Sequence, residues 1–191
     1  MNKYENIPCV ILAGGRSSRM GTDKSFVNIQ DEKTMLSVQT EKLKSISNNI
    51  WISANDEIYK SFGFPVISDI YNNIGPLGGI YSILKAIPDF SAFFISVDLP
   101  FVTKKLIIKL LDKIDEADII LPVHNENLEP TCAIYSKNCL SEIEKMVNNE
   151  DYKLMNLINN KNIKVKTIDV SDELNRFSYL FKNINTPQDL I

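Results

Sequence analysis

The chain has 191 residues, 44% of them hydrophobic and 24% charged, with a net charge of −3. That length and mix fit one globular domain, 1–191, with enough apolar side chains for a sizeable core. It lacks the basic surplus of a nucleic-acid-binding surface and any apolar run of about 18 residues, so neither nucleic acid nor a membrane is an expected partner.

The first residues, MNKYENIP, hold no apolar stretch of signal-peptide length, and the cytoplasm is the expected compartment. The apolar run 7–12 reads as a buried strand. It feeds LAGGRSSRMGTDKS, 12–25, a loop rich in glycine and in positive charge. This is not a P-loop, because Lys24 follows Gly21 by three positions rather than directly, and GxGxxG is absent too. Ala13-Gly14-Gly15 still lets backbone amides approach a phosphate with no Cβ in the way. Arg16, Arg19 and Lys24 add fixed positive charge, which suits a triphosphate or pyrophosphate.

The spacing of Met35, Leu36, Val38, Leu43 and Ile46 predicts a helix over 34–46. Strands are expected at 50–53 and 65–67. The segment SDIYNNIGPLGGI follows, holding Asp69, a Gly75-Pro76 turn, and Gly78-Gly79 at the opening of a helix. Free amides at such a helix start can receive an anion or the polar edge of a base. A strand over 92–97 then delivers Asp98, in SVDLP, to its carboxyl end. An aspartate there can hold Mg2+ that also touches phosphate oxygens. The plainer reading is a turn aspartate ahead of a helix, 103–114, that Thr103 caps.

A strand over 119–123 leads into LPVHNENLEP, a turn between short strands that carries His124, the one histidine. Its isolation argues against Ser-His and Cys-His hydrolase schemes. Strands at 132–135, 164–170 and 179–183 and a helix over 140–147 complete the pattern. In NINTPQDL, Thr186, Pro187 and Asp189 make a helix start, with Asn183 and Asn185 able to point into a site from the strand end before it. Cys9, Cys132 and Cys139 are scattered, form no CxxC, and read as small buried apolar residues. Strands alternating with helices predict a mostly parallel sheet covered on both faces, with ligands at the carboxyl ends of its strands.

LAGGRSSRMGTDK, GPLGGI, VDLP and NINTPQDL stand in the order and spacing of the molybdenum cofactor guanylyltransferases, and the resemblance covers almost the whole chain. Gly14-Gly15 is similar to the guanylyl branch, whereas related sugar and cytidylyl transferases have a single glycine there. The resemblance implies an α/β, Rossmann-like three-layer nucleotidyltransferase fold with a mostly parallel central sheet. It implies GMP transfer from GTP to molybdenum-molybdopterin with release of pyrophosphate, and Mg2+ as cofactor. It further implies that Leu12, Ala13, Gly14 and Lys24 touch GTP, that Asp69 lies on the nucleotide, and that Asp98 binds both Mg2+ and nucleotide.

Gly15, Ser53 and Asn55 join the expected GTP group; the family often has asparagine where this chain has Ser53, and Asn55 is the nearest asparagine. Arg19, Lys24 and Asp98 form the expected catalytic set, with Asp98 the metal ligand. Gly78, Gly79, Asn183 and Asn185 are the expected pterin contacts, and EDYKLMNLI offers only Lys153 where the family tends to carry a basic pair. A monomer is expected, with molybdoenzyme apoproteins or their chaperones as candidate partners. Two other readings remain open. One is a cytidylyltransferase for the same pterin or a sugar-phosphate nucleotidyltransferase. The other is a non-catalytic nucleotide-binding domain that delivers cofactor.

Overall fold

The run of apolar residues at the start of the chain forms β1 (Cys9–Leu12), buried along its whole length. A central strand covered by helices on both faces reads this way, without polar alternation. The computed structural model describes residues 3–13, 24–30, 33–184 and 189. After the glycine-rich loop comes a short 3-10 turn (Lys24–Phe26), then an antiparallel pair, β2 (Asn28–Gln30) and β3 (Lys33–Thr34). Thr34 caps α1 (Met35–Lys44) by accepting from the Ser37 amide at 3.1 Å, which satisfies one of the helix's free donors.

β4 (Ile50–Ser53) follows. A 3-10 helix over Glu57–Phe62 is stopped by Gly63 at φ 75°, a left-handed conformation that glycine adopts without strain. β5 (Val66–Ile67) leads to α2 (Pro76–Ala86), which Pro76 opens at a position where no amide is needed. β6 (Ser91–Ser96) and α3 (Lys104–Leu111) come next, the latter capped by Thr103. β7 (Ile119–His124) and β8 (Asn127–Leu128) form a hairpin whose two turn residues, Asn125 and Glu126, both have positive φ. β9 (Cys132–Ser136), α4 (Cys139–Asn148), α5 (Leu154–Ile158), β10 (Val165–Asp169) and α6 (Ser171–Arg176) complete the described elements.

The main sheet runs in the order β10-β7-β9-β6-β1-β4-β5, with β8 attached to β7. Its pairings are parallel at β10–β7, β6–β1, β1–β4 and β4–β5, and antiparallel only where β9 and β8 are involved. Six strands therefore point the same way, and their carboxyl ends share one edge. Alternate residues of β1 go to opposite faces. Cys9 and Ile11 join a cluster with α1 and α3, including Leu36, Leu43, Leu106 and Leu110. Val10 and Leu12 join a second cluster with α2, α4 and α5, including Ile80, Ile143 and Leu157. The layers are helix, sheet, helix, as expected.

One expected strand is absent. Residues 179–183 are not paired into the sheet but close two turns, with the Leu180 amide on the Phe177 carbonyl at 2.9 Å and the Lys182 amide on the Tyr179 carbonyl at 2.9 Å. The apolar run there reflects anchoring rather than pleating, since Leu180, Phe181 and, just beyond it, Ile184 are buried in the first cluster.

Candidate active site

The chain steps from β1 out to β4 and β5, then returns to β6 on the other side of β1. At such a reversal, the loops after adjacent strands diverge and leave a crevice. The end of β1 and the turn after β6 flank it. Their backbones are tied to the sheet: the Ala13 amide donates to the Ser53 carbonyl at 3.0 Å, and the Val97 amide to the Leu12 carbonyl at 3.0 Å.

Lys24 and Asp98 meet here. The ammonium lies 3.9 Å from the carboxylate, with the two side chains 25% and 22% exposed. They come from segments 74 positions apart, and both remain partly open to solvent, which a phosphate would require. The Asp98 turn is held from below by α1. Fully buried Gln39 donates through Nε2 to the Ser96 carbonyl at 3.0 Å and to the Leu99 carbonyl at 2.9 Å, straddling Asp98. Lys42 completes the brace, donating to Gln39 Oε1 at 3.0 Å and to the Pro100 carbonyl at 2.7 Å. Burial brings the Lys42 ammonium down to about 8. Neither residue stands out in sequence, because both sit at ordinary helical positions. On the far side of the turn, the Ile184 amide donates to the Asp98 carbonyl at 3.0 Å, so the chain at Asn183 and Ile184 meets the same turn.

A second group lies at the ends of β4 and β5. Asn55 Oδ1 accepts from the Asp69 amide at 2.7 Å, and its Nδ2 donates to Asp69 Oδ2 at 3.3 Å. Burial pushes the Asp69 carboxyl up from its usual range, while hydrogen bonds from Asn55 and Ser53 hold it down. Gly78 and Gly79, at the start of α2, close this group. A Cβ at Gly78 would stand 2.6 Å from the Tyr71 carbonyl oxygen and 3.4 Å from Asp69 Oδ2, and one at Gly79 would collide with Ser53 Oγ. Both glycines, expected on the pterin side, pack against Leu12, Ser53 and Asp69. Ser82 on α2 adds a brace that the sequence did not flag: its hydroxyl accepts from the Ile70 amide at 2.7 Å and donates to the Gly78 carbonyl at 2.8 Å.

Gly14, Gly15, Arg16, Arg19 and Asn185 lie outside the described residues, as does the helix start at Thr186 and Pro187. His124 sits at the end of β7. Its Nε2 is 2.8 Å from Glu129 Oε1, and its ring stacks on Phe181 at 4.8 Å. The three cysteines are buried, with Cys9 and Cys139 raised to about 12 by burial and Cys132 raised further, which leaves none with thiolate character.

The donor set suits Mg2+. That ion is commonly bound by one or two carboxylates together with substrate phosphates, and Asp98 presents one partly exposed carboxylate beside Lys24. A mostly parallel sheet, with a glycine-rich cationic segment following its first strand in sequence and a carboxylate at the adjoining strand end, is the arrangement of a nucleotide-binding protein. The family model described as the MobA-like NTP transferase domain matches residues 9–165, and the chain belongs to that family. A probable molybdenum cofactor guanylyltransferase of Natranaerobius thermophilus is 33% identical, covering 97% of this chain and 94% of that one. A second of the same name from Aquifex aeolicus is 30% identical over 95% of this chain and 87% of its own. The crystal structure of molybdopterin-guanine dinucleotide biosynthesis protein A from Archaeoglobus fulgidus superposes with a TM-score of 0.81 at 24% identity, covering 96% of this chain and 95% of that one, and shares the fold.

Proposed function

We propose that this chain transfers GMP from GTP to molybdopterin with Mg2+ as cofactor, forming molybdopterin guanine dinucleotide and pyrophosphate. The observation that carries the reading is the Lys24–Asp98 pair, 3.9 Å apart, on the strand edge that also holds Ser53, Asn55 and Asp69. A phosphate oxygen of molybdopterin attacks the α-phosphorus of GTP. A new P–O bond forms, the bond to the β-phosphate oxygen breaks, and pyrophosphate leaves with that electron pair. The attacking phosphate is already anionic near neutral pH, so no strong general base is needed. The barrier is then one of positioning and charge repulsion.

Lys24 offsets negative charge on the phosphates as the bond breaks, and Arg19 has the charge to do the same. Asp98 would hold Mg2+, which when bound supplies positive charge to the phosphate oxygens. Guanine presents two donors, N1–H and the 2-amino group, and the Asp69 carboxylate and nearby backbone carbonyls are acceptors. Adenine leaves such acceptors unpaired, at a cost of about 1–3 kcal/mol each, so preference on the order of a hundredfold is expected. The test is a competition: molybdopterin, Mg2+ and equal GTP, CTP and ATP, with the product mass measured. The guanine dinucleotide is expected in large excess. A cytosine dinucleotide, or binding without pyrophosphate release, would overturn the reading.

A further inference from the structure

Tyr59 is fully buried, yet it lies on a short 3-10 helix far in sequence from the glycine-rich loop. Its hydroxyl donates to the Ala13 carbonyl at 3.1 Å and stands 2.6 Å from Ser25 Oγ. A phenol has a single proton. With that proton on the Ala13 carbonyl, the Ser25 hydroxyl is the donor of the shorter bond. Ala13 is the last residue before the loop's glycines, and Ser25 is the residue after Lys24. One hydroxyl therefore ties together the two ends of the segment that carries Gly14, Gly15, Arg16, Arg19 and Lys24.

The surroundings make the tie stiff. The Tyr59 ring packs on Phe26 at 5.4 Å, and Phe26 stacks on Phe62 at 5.7 Å, so the phenol is gripped by the same 3-10 turn that holds Lys24. The Val27 amide closes that turn on the Lys24 carbonyl at 3.0 Å. The Lys24 backbone is thus fixed one residue from the tether while its ammonium faces Asp98. The Ala13 and Ser25 partners of this hydroxyl come from opposite ends of one loop.

We propose that Tyr59 is a positioning residue for the phosphate-binding loop: through Ser25 it sets where Lys24 stands, and through Ala13 it sets the entry to the loop. The role rests on the reading of Lys24 given above. It predicts that the hydroxyl matters for the loop and the ring matters for the fold, so the two can be separated by Tyr59→Phe.

The test uses the intact chain as wild type, Tyr59→Phe, Ser25→Ala, Lys24→Ala and the double variants of Tyr59→Phe with each of the others. Pyrophosphate release with GTP and molybdopterin gives kcat and KM; calorimetry without acceptor gives GTP affinity; circular dichroism gives the folded fraction. Tyr59→Phe is expected to lower kcat/KM for GTP by roughly tenfold to a hundredfold, the scale of two lost buried hydrogen bonds, divided between weaker affinity and slower turnover, with the protein fully folded. Ser25→Ala removes one of the two bonds and should cost a smaller factor, about tenfold or less. Combining the two should cost little more than Tyr59→Phe alone. In the Lys24→Ala background, Tyr59→Phe should lower kcat less than twofold, because the cation it positions is gone.

Wild-type kinetics in folded Tyr59→Phe would overturn the proposal. So would losses that multiply in full in the Lys24→Ala background, or a loss that merely tracks unfolded protein while Ser25→Ala is silent. If the wild type itself releases no pyrophosphate, the reading of function fails, and the GTP affinities of wild type and Tyr59→Phe still decide for or against the tether.

Discussion

At Asp98, shape and charge can be separated. Asp98→Asn keeps the side chain's outline and its place beside Lys24, and removes the charge that would hold Mg2+. The turn itself is held by backbone carbonyls, through Gln39 and Ile184, so the fold should survive. Removing one preorganised electrostatic contact usually costs about 10²–10³ in rate, and steady-state kinetics across a Mg2+ titration should show a loss of that size. Near-native turnover with unchanged Mg2+ dependence would remove Asp98 from the site. His124 gives the converse expectation. Its ring is occupied by Glu129 and Phe181, and the reaction asks for no proton transfer from it. His124→Ala should leave kcat within about twofold, at some cost in stability from the lost stacking contact. A large drop in kcat in the folded variant would reveal a proton-transfer step absent from the mechanism above.

Helix α1 acts on the site without touching substrate, and its brace has a pH signature. Burial holds folded Lys42 at about 8, below the ordinary lysine value of 10.5. At Lys42, between those two values, the unfolded chain binds more protons than the folded one, so this group's contribution to stability rises with pH through that window. The buried cysteines, raised to about 12 or beyond, act in the opposite direction over the same range, so the quantity to read is the difference between wild type and Lys42→Met. In denaturant unfolding at pH 7.5 and 9.5, wild type should gain on the order of 2 kcal/mol relative to the variant at the higher pH; an equal pH response in the two proteins would mean that Lys42 is not the group that titrates. Helices of this kind also mark where sequence reading stopped. The four long helices and the strands of the main sheet other than β8 were legible because their apolar patterns were strong, and the turn after β6 was legible from SVDLP. Gln39, Lys42, Tyr59 and Ser82 were not, since each occupies an unremarked position and acquires its role only when distant segments meet. The stretch 179–183 misled for a related reason: adjacent buried anchors, Leu180 and Phe181, in a pair of turns mimic the short apolar run of a buried strand.

The sheet carries one group of residues on either side of β1. The β4–β5 side holds Ser53, Asn55 and Asp69, closed off by Gly78 and Gly79. On the β6 side the turn at Asp98 is joined by the chain end at Asn183 and Ile184. If GTP lies from the first group across the loop to Lys24, the acceptor must approach from the second. Two-substrate kinetics on Asp69→Ala and Asn183→Ala can read this division. Asp69→Ala should raise the KM for GTP by roughly tenfold or more, the scale of a lost buried acceptor, and leave the KM for molybdopterin near its wild-type value. It should also weaken GTP preference over ATP. Because burial raises the Asp69 carboxyl, wild-type GTP affinity should fall as pH drops through that raised value, where the acceptor gains a proton and loses its charge, and the variant should lack this fall. Asn183→Ala should do the reverse, raising the KM for molybdopterin while GTP affinity measured without acceptor is unchanged. Should both substitutions move the KM of the same substrate, the two sides of the sheet do not hold separate substrates, and the acceptor must enter along the β4–β5 side instead.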